Sequence, residues 1–234
     1  MLNVSRITAG YGGHKVIKGV SLNVPEGALI TIIGPNGHGK TTLLRCISGI
    51  VPIDDGRIVF DGKQIDGSRV DEIVKLGMVH IPQGDLLYPD MTVDDNLLMG
   101  GYLIKSVTQL EDRREKVLDL FPTLSERKKQ IASTLSGGER RMLAMGRGLM
   151  TGAKILLLDE PSLGLAPVVI EKIFETIRKL NKDGQTILLI EENVSRVISV
   201  SDHIYLLDEG QIAWEGSGHD LSGNEQLMEV FLGG

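Results

Sequence analysis

An α/β fold organised on a parallel sheet is predicted by three observations. The apolar runs ending at Ile33, Leu158 and Ile190 are continuous rather than alternating, the pattern of strands buried on both faces. A helical pattern, Pro167 to Leu180, separates the strands Lys154–Leu158 and Gln185–Ile190, as a right-handed parallel crossover requires. The run Ala28–Ile33 enters a glycine-rich loop that leads directly into a helical segment. With 234 residues and 41% hydrophobic content, the chain can bury one sizeable core, or one core with a smaller lobe.

The elements follow in order. The first 33 residues alternate like strands, with turns at Gly10–Gly13 and Pro25–Gly27. Val93–Leu120 and Gly137–Met150 read as mostly helical. Between them a polar stretch, Ser125–Gln130, carries Arg127, Lys128 and Lys129 and reads as a solvated face. Trp214, in the C-terminal strand QIAWEG, reads as a packing residue. There is no repeat, no low-complexity linker and no clean two-domain break.

Composition narrows the function. A net charge of −6 and a pI near 5.4 disfavour a dedicated nucleic-acid binder, which needs a basic surplus to neutralise phosphates. The single cysteine, Cys46, excludes an internal disulfide and a set of metal thiolates, and reads as a small buried helix residue. The start MLNVSRITAGYGG lacks a secretory pattern, and no apolar run approaches the ~20 residues of a spanning helix. The expectation is a chain that stays inside and meets the membrane through a partner.

Two motifs carry phosphate chemistry. Gly34-Pro35-Asn36-Gly37-His38-Gly39-Lys40-Thr41, followed by Thr42, fits G-x-x-x-x-G-K-[ST] between a strand and a helix. Its glycines let successive N–H groups turn onto phosphates, and a helix beginning near Lys40 presents its positive end to the same anion. Lys40 would reach the outer phosphates, and the Thr41 hydroxyl is placed to ligate Mg²⁺. The second motif is Asp159-Glu160 after Ile155–Leu158, two acids at the carboxyl end of a buried strand, where open α/β sheets place ligands. Asp159 would hold Mg²⁺ through water, and Glu160 is the candidate general base for a water attacking the terminal phosphate.

A third motif, Leu135-Ser136-Gly137-Gly138-Glu139, lies between them. The Ser136 side chain and the Gly137 and Gly138 amides at a helix start form an anion-binding end. As a helix cap the same string is a local folding signal. Paired glycines weaken a helix, and close approach to a phosphate accounts for them.

With its order of phosphate loop, LSGGE and acidic pair, the chain resembles the ABC-type ATPases. The resemblance implies a phosphate-loop, RecA-like ATPase core with an antiparallel β subdomain and an inserted helical subdomain. The expected division is residues 1–27 for the β subdomain, 28–84 and 151–200 for the core, 85–150 for the helical signature region, and 201–234 for C-terminal strands and a helix. Gln83, in HIPQG, resembles the glutamine that senses metal and attacking water and links core to helical region. Tyr11 occupies the position at which the family stacks an aromatic ring on adenine. His38 departs from the small residue usual in the loop; it reads as solvent-facing, with contact to nucleotide or to an opposing subunit as alternatives.

Glu192 departs further. Many family members carry histidine there, donating to the terminal phosphate, whereas a carboxylate accepts. Two like charges about 4 Å apart repel by roughly 4 kcal/mol at an effective dielectric near 20. An ionised Glu192 must therefore swing away, bind through water or metal, or carry a proton. The expectation is a site that hydrolyses slowly, or leans on Glu160 and on the partner's signature.

LLYPDMTVDDNLLMG, LSGGERRMLAMGRGLM and LLLDEPSLGLAP extend the resemblance to ATP-binding subunits of branched-chain amino-acid importers, a group that includes urea and short-amide importers. It implies ATP and Mg²⁺ as cofactors and a second ATP-binding subunit, identical or different, whose LSGGE closes over this chain's nucleotide. It also implies transmembrane permease subunits docked on the helical region, an external solute-binding protein, and a peripheral place at the cytoplasmic face of the cell membrane. Lipopolysaccharide export is the nearest transport alternative; a hydrolysis-poor structural subunit is the alternative of another class.

Overall fold

The computed structural model describes residues 1–224 and residue 227. Strands β1 (Leu2–Tyr11) and β2 (His14–Val24) form a hairpin, and β3 (Leu29–Ile33) runs into the phosphate loop and α1 (Lys40–Ile47). A second hairpin, β4 (Asp55–Phe60) and β5 (Lys63–Gln64), precedes α2 (Val70–Leu76) and β6 (Met78–Ile81). Four helices follow: α3 (Val93–Gly100), α4 (Val107–Leu120), α5 (Pro122–Glu126) and α6 (Gly137–Met150). The chain then alternates through β7 (Ile155–Asp159), α7 (Pro167–Lys182), β8 (Thr186–Ile190) and α8 (Val194–Ile198). It continues with β9 (His203–Asp208), β10 (Gln211–Gly216) and α9 (Gly218–Ser222).

Two sheets organise these elements. A six-stranded sheet in the order β10-β9-β3-β8-β7-β6 is parallel except for the β9–β10 hairpin, and a four-stranded antiparallel sheet has the order β2-β1-β4-β5. The parallel strands are mostly apolar because successive side chains enter different cores. Ile155, Leu157, Leu188 and Ile190 pack with β1, β2 and α1, whereas Leu156, Leu158, Ile187 and Leu189 pack under the helices.

The structure redraws parts of the sequence division. β4 and β5 fall within 28–84 yet belong to the antiparallel sheet, where Leu2 faces Phe60 and Val4 faces Ile58. Their turn, Asp61-Gly62, has both residues at positive φ, the chemistry of a tight hairpin. That Asp-Gly signal was legible in the sequence but carried no strand prediction. The helical stretch Val93–Leu120 is interrupted at 101–106, where Gly101 caps α3 and the Ser106 side chain caps α4. β9 pairs in parallel with β3, so the strands after residue 200 extend the main sheet. The C-terminal segment at 225, 226 and 228–234, part of the expected 201–234 region, lies outside the described residues.

Gly100 sets how closely α3 approaches α6. A Cβ there would sit 2.0 Å from the Arg147 carbonyl oxygen, a backbone atom with no flexible end to yield. Gly100→Ala is expected to destabilise the chain by about 1–3 kcal/mol, read as a lower urea midpoint with an unchanged slope.

Candidate functional site

The phosphate loop leaves β3, the strand between β8 and β9, at Gly34. Its φ of 146° and the 2.0 Å that would separate a Cβ from the Leu207 carbonyl oxygen restrict this position to glycine. Gly39, left-handed at φ 106°, caps α1 without a side-chain hydrogen bond, so the first-turn N–H groups remain available to an anion. Lys40 is buried and arches back over the loop, its Nζ donating to the carbonyls of Gly34 at 2.7 Å and Pro35 at 3.1 Å and to Asn36 Oδ1 at 3.4 Å. Nζ also lies 3.8 Å from Glu160 Oε1.

His38 corrects the solvent-facing reading. Its Nδ1 lies 2.8 Å from Asp208 Oδ1, and its carbonyl accepts the Gly210 N–H at 3.2 Å. The ring fastens the loop to the turn between β9 and β10.

β7 and β8 bring the acids to the same edge. Thr41 Oγ1 donates to Asp159 Oδ1 at 3.1 Å, while Asp159 Oδ2 is buried with no partner among the described residues. Burial pushes the Asp159 carboxyl above its ordinary value, and the Thr41 hydrogen bond with the charges of Arg45 and Lys40 pulls it partly back. Glu160 has φ 46°, a conformation that costs a non-glycine residue about 1–3 kcal/mol and persists only where its surroundings impose it. Its Oε2 accepts from Gln83 Nε2 at 3.0 Å. Burial raises the Glu160 carboxyl, the Glu192 carboxylate raises it further, and Lys40 opposes both.

A cavity of about 300 Å³ gathers these groups: Asn36, Gly37, Gly39, Lys40, Thr41, Thr42, Gln83, Glu160, Leu163 and Glu192 line it. Glu192 Oε1 is buried there without a hydrogen-bond partner among the described residues. Its neighbour Glu191 turns away, accepting the Ser162 hydroxyl at 2.8 Å on each carboxylate oxygen. Sequence reading missed Glu191, Ser162 and the lining residue Leu163. The signal for the first was the acidic doublet itself, since two adjacent side chains at a strand end cannot both face one cavity.

Leu135–Glu139 lies outside that cavity, as does Tyr11, which is 47% exposed at the end of β1. Ser136 caps α6 in a reciprocal box: its Oγ accepts the Glu139 N–H at 3.3 Å, and Glu139 Oε2 accepts the Ser136 N–H at 2.8 Å. Burial works against the Glu139 carboxylate, but those Ser136 hydrogen bonds and Arg127, 2.7 Å away, hold it below its ordinary value. The basic run is thus stitched to the signature at Arg127 rather than purely solvated. The two glycines differ: a Cβ on Gly138 would meet Val169 Cγ1 at 2.8 Å, whereas one on Gly137 meets nothing closer than 3.9 Å. Within this chain, packing against Val169 of α7 leaves little room at Gly138 for a side chain.

On the other side of Gln83, Arg141 is buried on α6 and donates to the carbonyls of Gly84 at 3.0 Å and Pro82 at 3.5 Å. Arg140 donates to Asp85 Oδ2 at 2.9 Å and to the Leu135 carbonyl at 2.8 Å. The signature helix therefore grips the loop that presents Gln83. The sequence offered no sign of this beyond adjacent arginines.

Chemically, the cavity combines free helix-start amides and a lysine for phosphate with a carboxylate of elevated pKa in reach of an amide donor, and the buried Asp159 carboxylate sits behind the lining residue Thr41. The family model described as ABC transporter matches residues 17–163. The chain is 39% identical, over all of both chains, to the high-affinity branched-chain amino acid transport ATP-binding protein BraG of Pseudomonas aeruginosa. It is 37% identical to the probable branched-chain amino acid transport ATP-binding protein LivF of Archaeoglobus fulgidus, over 100% of this chain and 99% of that one. Its fold matches the ADP conformation of an ABC transporter's ATP-binding cassette with a TM-score of 0.88 at 31% identity, covering 100% of this chain and 99% of the other. A dimeric bacterial ABC transporter cassette matches with a TM-score of 0.83 at 25% identity, over 93% and 98% of the two chains. The chain belongs to the ABC transporter family, as an ATP-binding subunit whose hydrolysis of ATP powers transport.

Proposed function

We propose that this subunit drives import of branched-chain amino acids, working at the cytoplasmic face of the membrane beneath permease subunits that receive solute from an external binding protein. The observation that carries the mechanism is the convergence of Lys40, Thr41, Gln83 and Glu160 on one cavity that no residue of Leu135–Glu139 lines. Such a site is completed by a second ATP-binding subunit, identical or different, contributing its own LSGGE. The full-length similarity to branched-chain amino-acid transport proteins supports the solute class.

Lys40 and the loop amides hold the phosphates, with Thr42 beside them, and Tyr11 stacks on adenine. Asp159 and Thr41 are the residues that would hold Mg²⁺: their donors are hard oxygens, and the partnerless buried Asp159 Oδ2 suits a cation. When bound, Mg²⁺ supplies neutralisation of phosphate charge. Glu160 accepts a proton from the attacking water, and Gln83 orients that carboxylate and the water.

No helix among the described residues is long and apolar enough to cross a membrane. A cleft of about 390 Å³ beside the Gln83 loop supports permease docking on the helical region: Tyr88, Met99, Tyr102 and Arg147 line it. Leu86 and Leu103 expose further apolar surface nearby. Reconstituted vesicles containing the subunit and its permeases should accumulate leucine, isoleucine or valine only with ATP; uptake of urea or a short amide instead would reassign the solute.

A second reading, a hydrolysis-poor subunit, is favoured by one observation: the Glu192 carboxylate, whose buried Oε1 has no partner among the described residues, raises Glu160 within the same cavity. Glu192→His should then raise turnover of the assembled transporter, and an unchanged or lower rate counts against it. Lys40→Ala should abolish nucleotide binding by calorimetry; wild-type affinity would remove Lys40 from the phosphate site. Glu160→Gln should slow hydrolysis by about 10²–10⁴-fold and trap an ATP-bound dimer. A variant that stays monomeric with ATP, under conditions where wild type dimerises, would contradict that role.

A further inference from the structure

The loops after β7 and β8 are joined by one buried carboxylate. Glu191 and Ser162 are 3% and 6% exposed, and the single Ser162 hydroxyl proton is shared between Glu191 Oε1 and Oε2, each 2.8 Å from Oγ. Oε1 also accepts the N–H groups of Glu192 at 3.0 Å and Asn193 at 3.5 Å, so the same group shapes the loop that presents Glu192. Main-chain bonds brace it: the Glu191 N–H donates to the Ile32 carbonyl at 3.3 Å, and the Glu160 N–H donates to the Ile190 carbonyl at 3.1 Å.

Glu160 needs such bracing. Its left-handed φ of 46° is strained for a non-glycine residue, and two residues later the side chain of Ser162 ties the turn to Glu191. Immediately beyond, the Leu163 N–H donates to the Glu160 carbonyl at 3.2 Å, closing a turn that the Ser162–Glu191 contact seals from below. Neither Ser162 nor Glu191 lines the nucleotide cavity, so neither is placed to touch substrate.

We propose that Glu191 and Ser162 form a clamp that positions Glu160 and Glu192 relative to each other, making both positioning residues for hydrolysis. This rests on the reading of Glu160 as general base. Releasing the clamp lets Glu160 relax out of its strained conformation and away from Gln83, and displacements near 1 Å cost about 10²-fold in rate. Nucleotide binding, which depends on the loop after β3, is left intact.

The test is steady-state ATP hydrolysis by the assembled transporter carrying Ser162→Ala, Glu191→Gln or both, with nucleotide affinity and melting temperature measured in parallel. Each single variant should lose about tenfold or more in kcat while KM for ATP and nucleotide affinity stay within about twofold. The double variant should be no slower than the slower single, because both remove one contact. Glu160→Gln is the control that separates the two claims. If it abolishes hydrolysis while both single variants keep wild-type kcat, the clamp is overturned and the base assignment stands. If Glu160→Gln hydrolyses normally, the base assignment falls and takes the clamp with it. If kcat, affinity and melting temperature drop together, the contact is scaffold alone and the positioning role is overturned. Should Ser162→Ala fail to fold, Glu191→Gln, which keeps the side-chain volume but puts an NH2 donor where one of the two accepting oxygens stood, decides between these outcomes.

Discussion

Mutual repulsion among carboxylates is the constraint around which the nucleotide cavity is arranged. Asp159, Glu160, Glu191 and Glu192 all cluster at the carboxyl ends of two adjacent parallel strands. The fold separates them by giving each a different environment: a threonine hydroxyl for Asp159, an amide and a nearby lysine for Glu160, a serine and loop amides for Glu191. Glu192 is left with a buried oxygen and no donor among the described residues. Burial raises the carboxyls of Asp159 and Glu160, the neighbouring carboxylates raise Glu160 further, and the cavity becomes an environment that favours added positive charge.

Rigid placement of those groups depends on the sheet behind them. Because alternate residues of β3, β7 and β8 are fitted into two different cores, a slip in register would swap the two sets and misfit both. The loops at their ends inherit that precision. The helical region packs on the same sheet through a shared apolar core, and the grip of Arg140 and Arg141 on the Gln83 loop adds polar ties to it.

The edge that gathers the candidate site was legible in the sequence because the chemistry read from it demands particular residues at fixed spacing. A loop such as Gly34–Thr41, with its glycines, lysine and threonine set between strand and helix, suits phosphate and little else, and Asp159-Glu160 after an apolar run names its own place on the sheet. The second hairpin was harder: β4 and β5 are short, and the exposed Gly56 and Arg57 break the alternation that marks a strand. His38 was misread because its partner, Asp208, is 170 positions away, and no local pattern reports a contact that only the β9–β3 pairing creates. The Ser162–Glu191 contact was invisible for the same reason, as two ordinary residues joined only by the parallel pairing of β7 and β8.

The adjacent glycines of the signature answer to different neighbours. Gly138 is held by this chain's own α7, through the space that Val169 occupies, while Gly137 faces open room beside the helix start. A methyl group added at Gly138 would have to be met by a change inside this molecule, at Val169, whereas one added at Gly137 would meet no neighbour of this chain closer than 3.9 Å, so two adjacent positions of one motif answer to different surroundings.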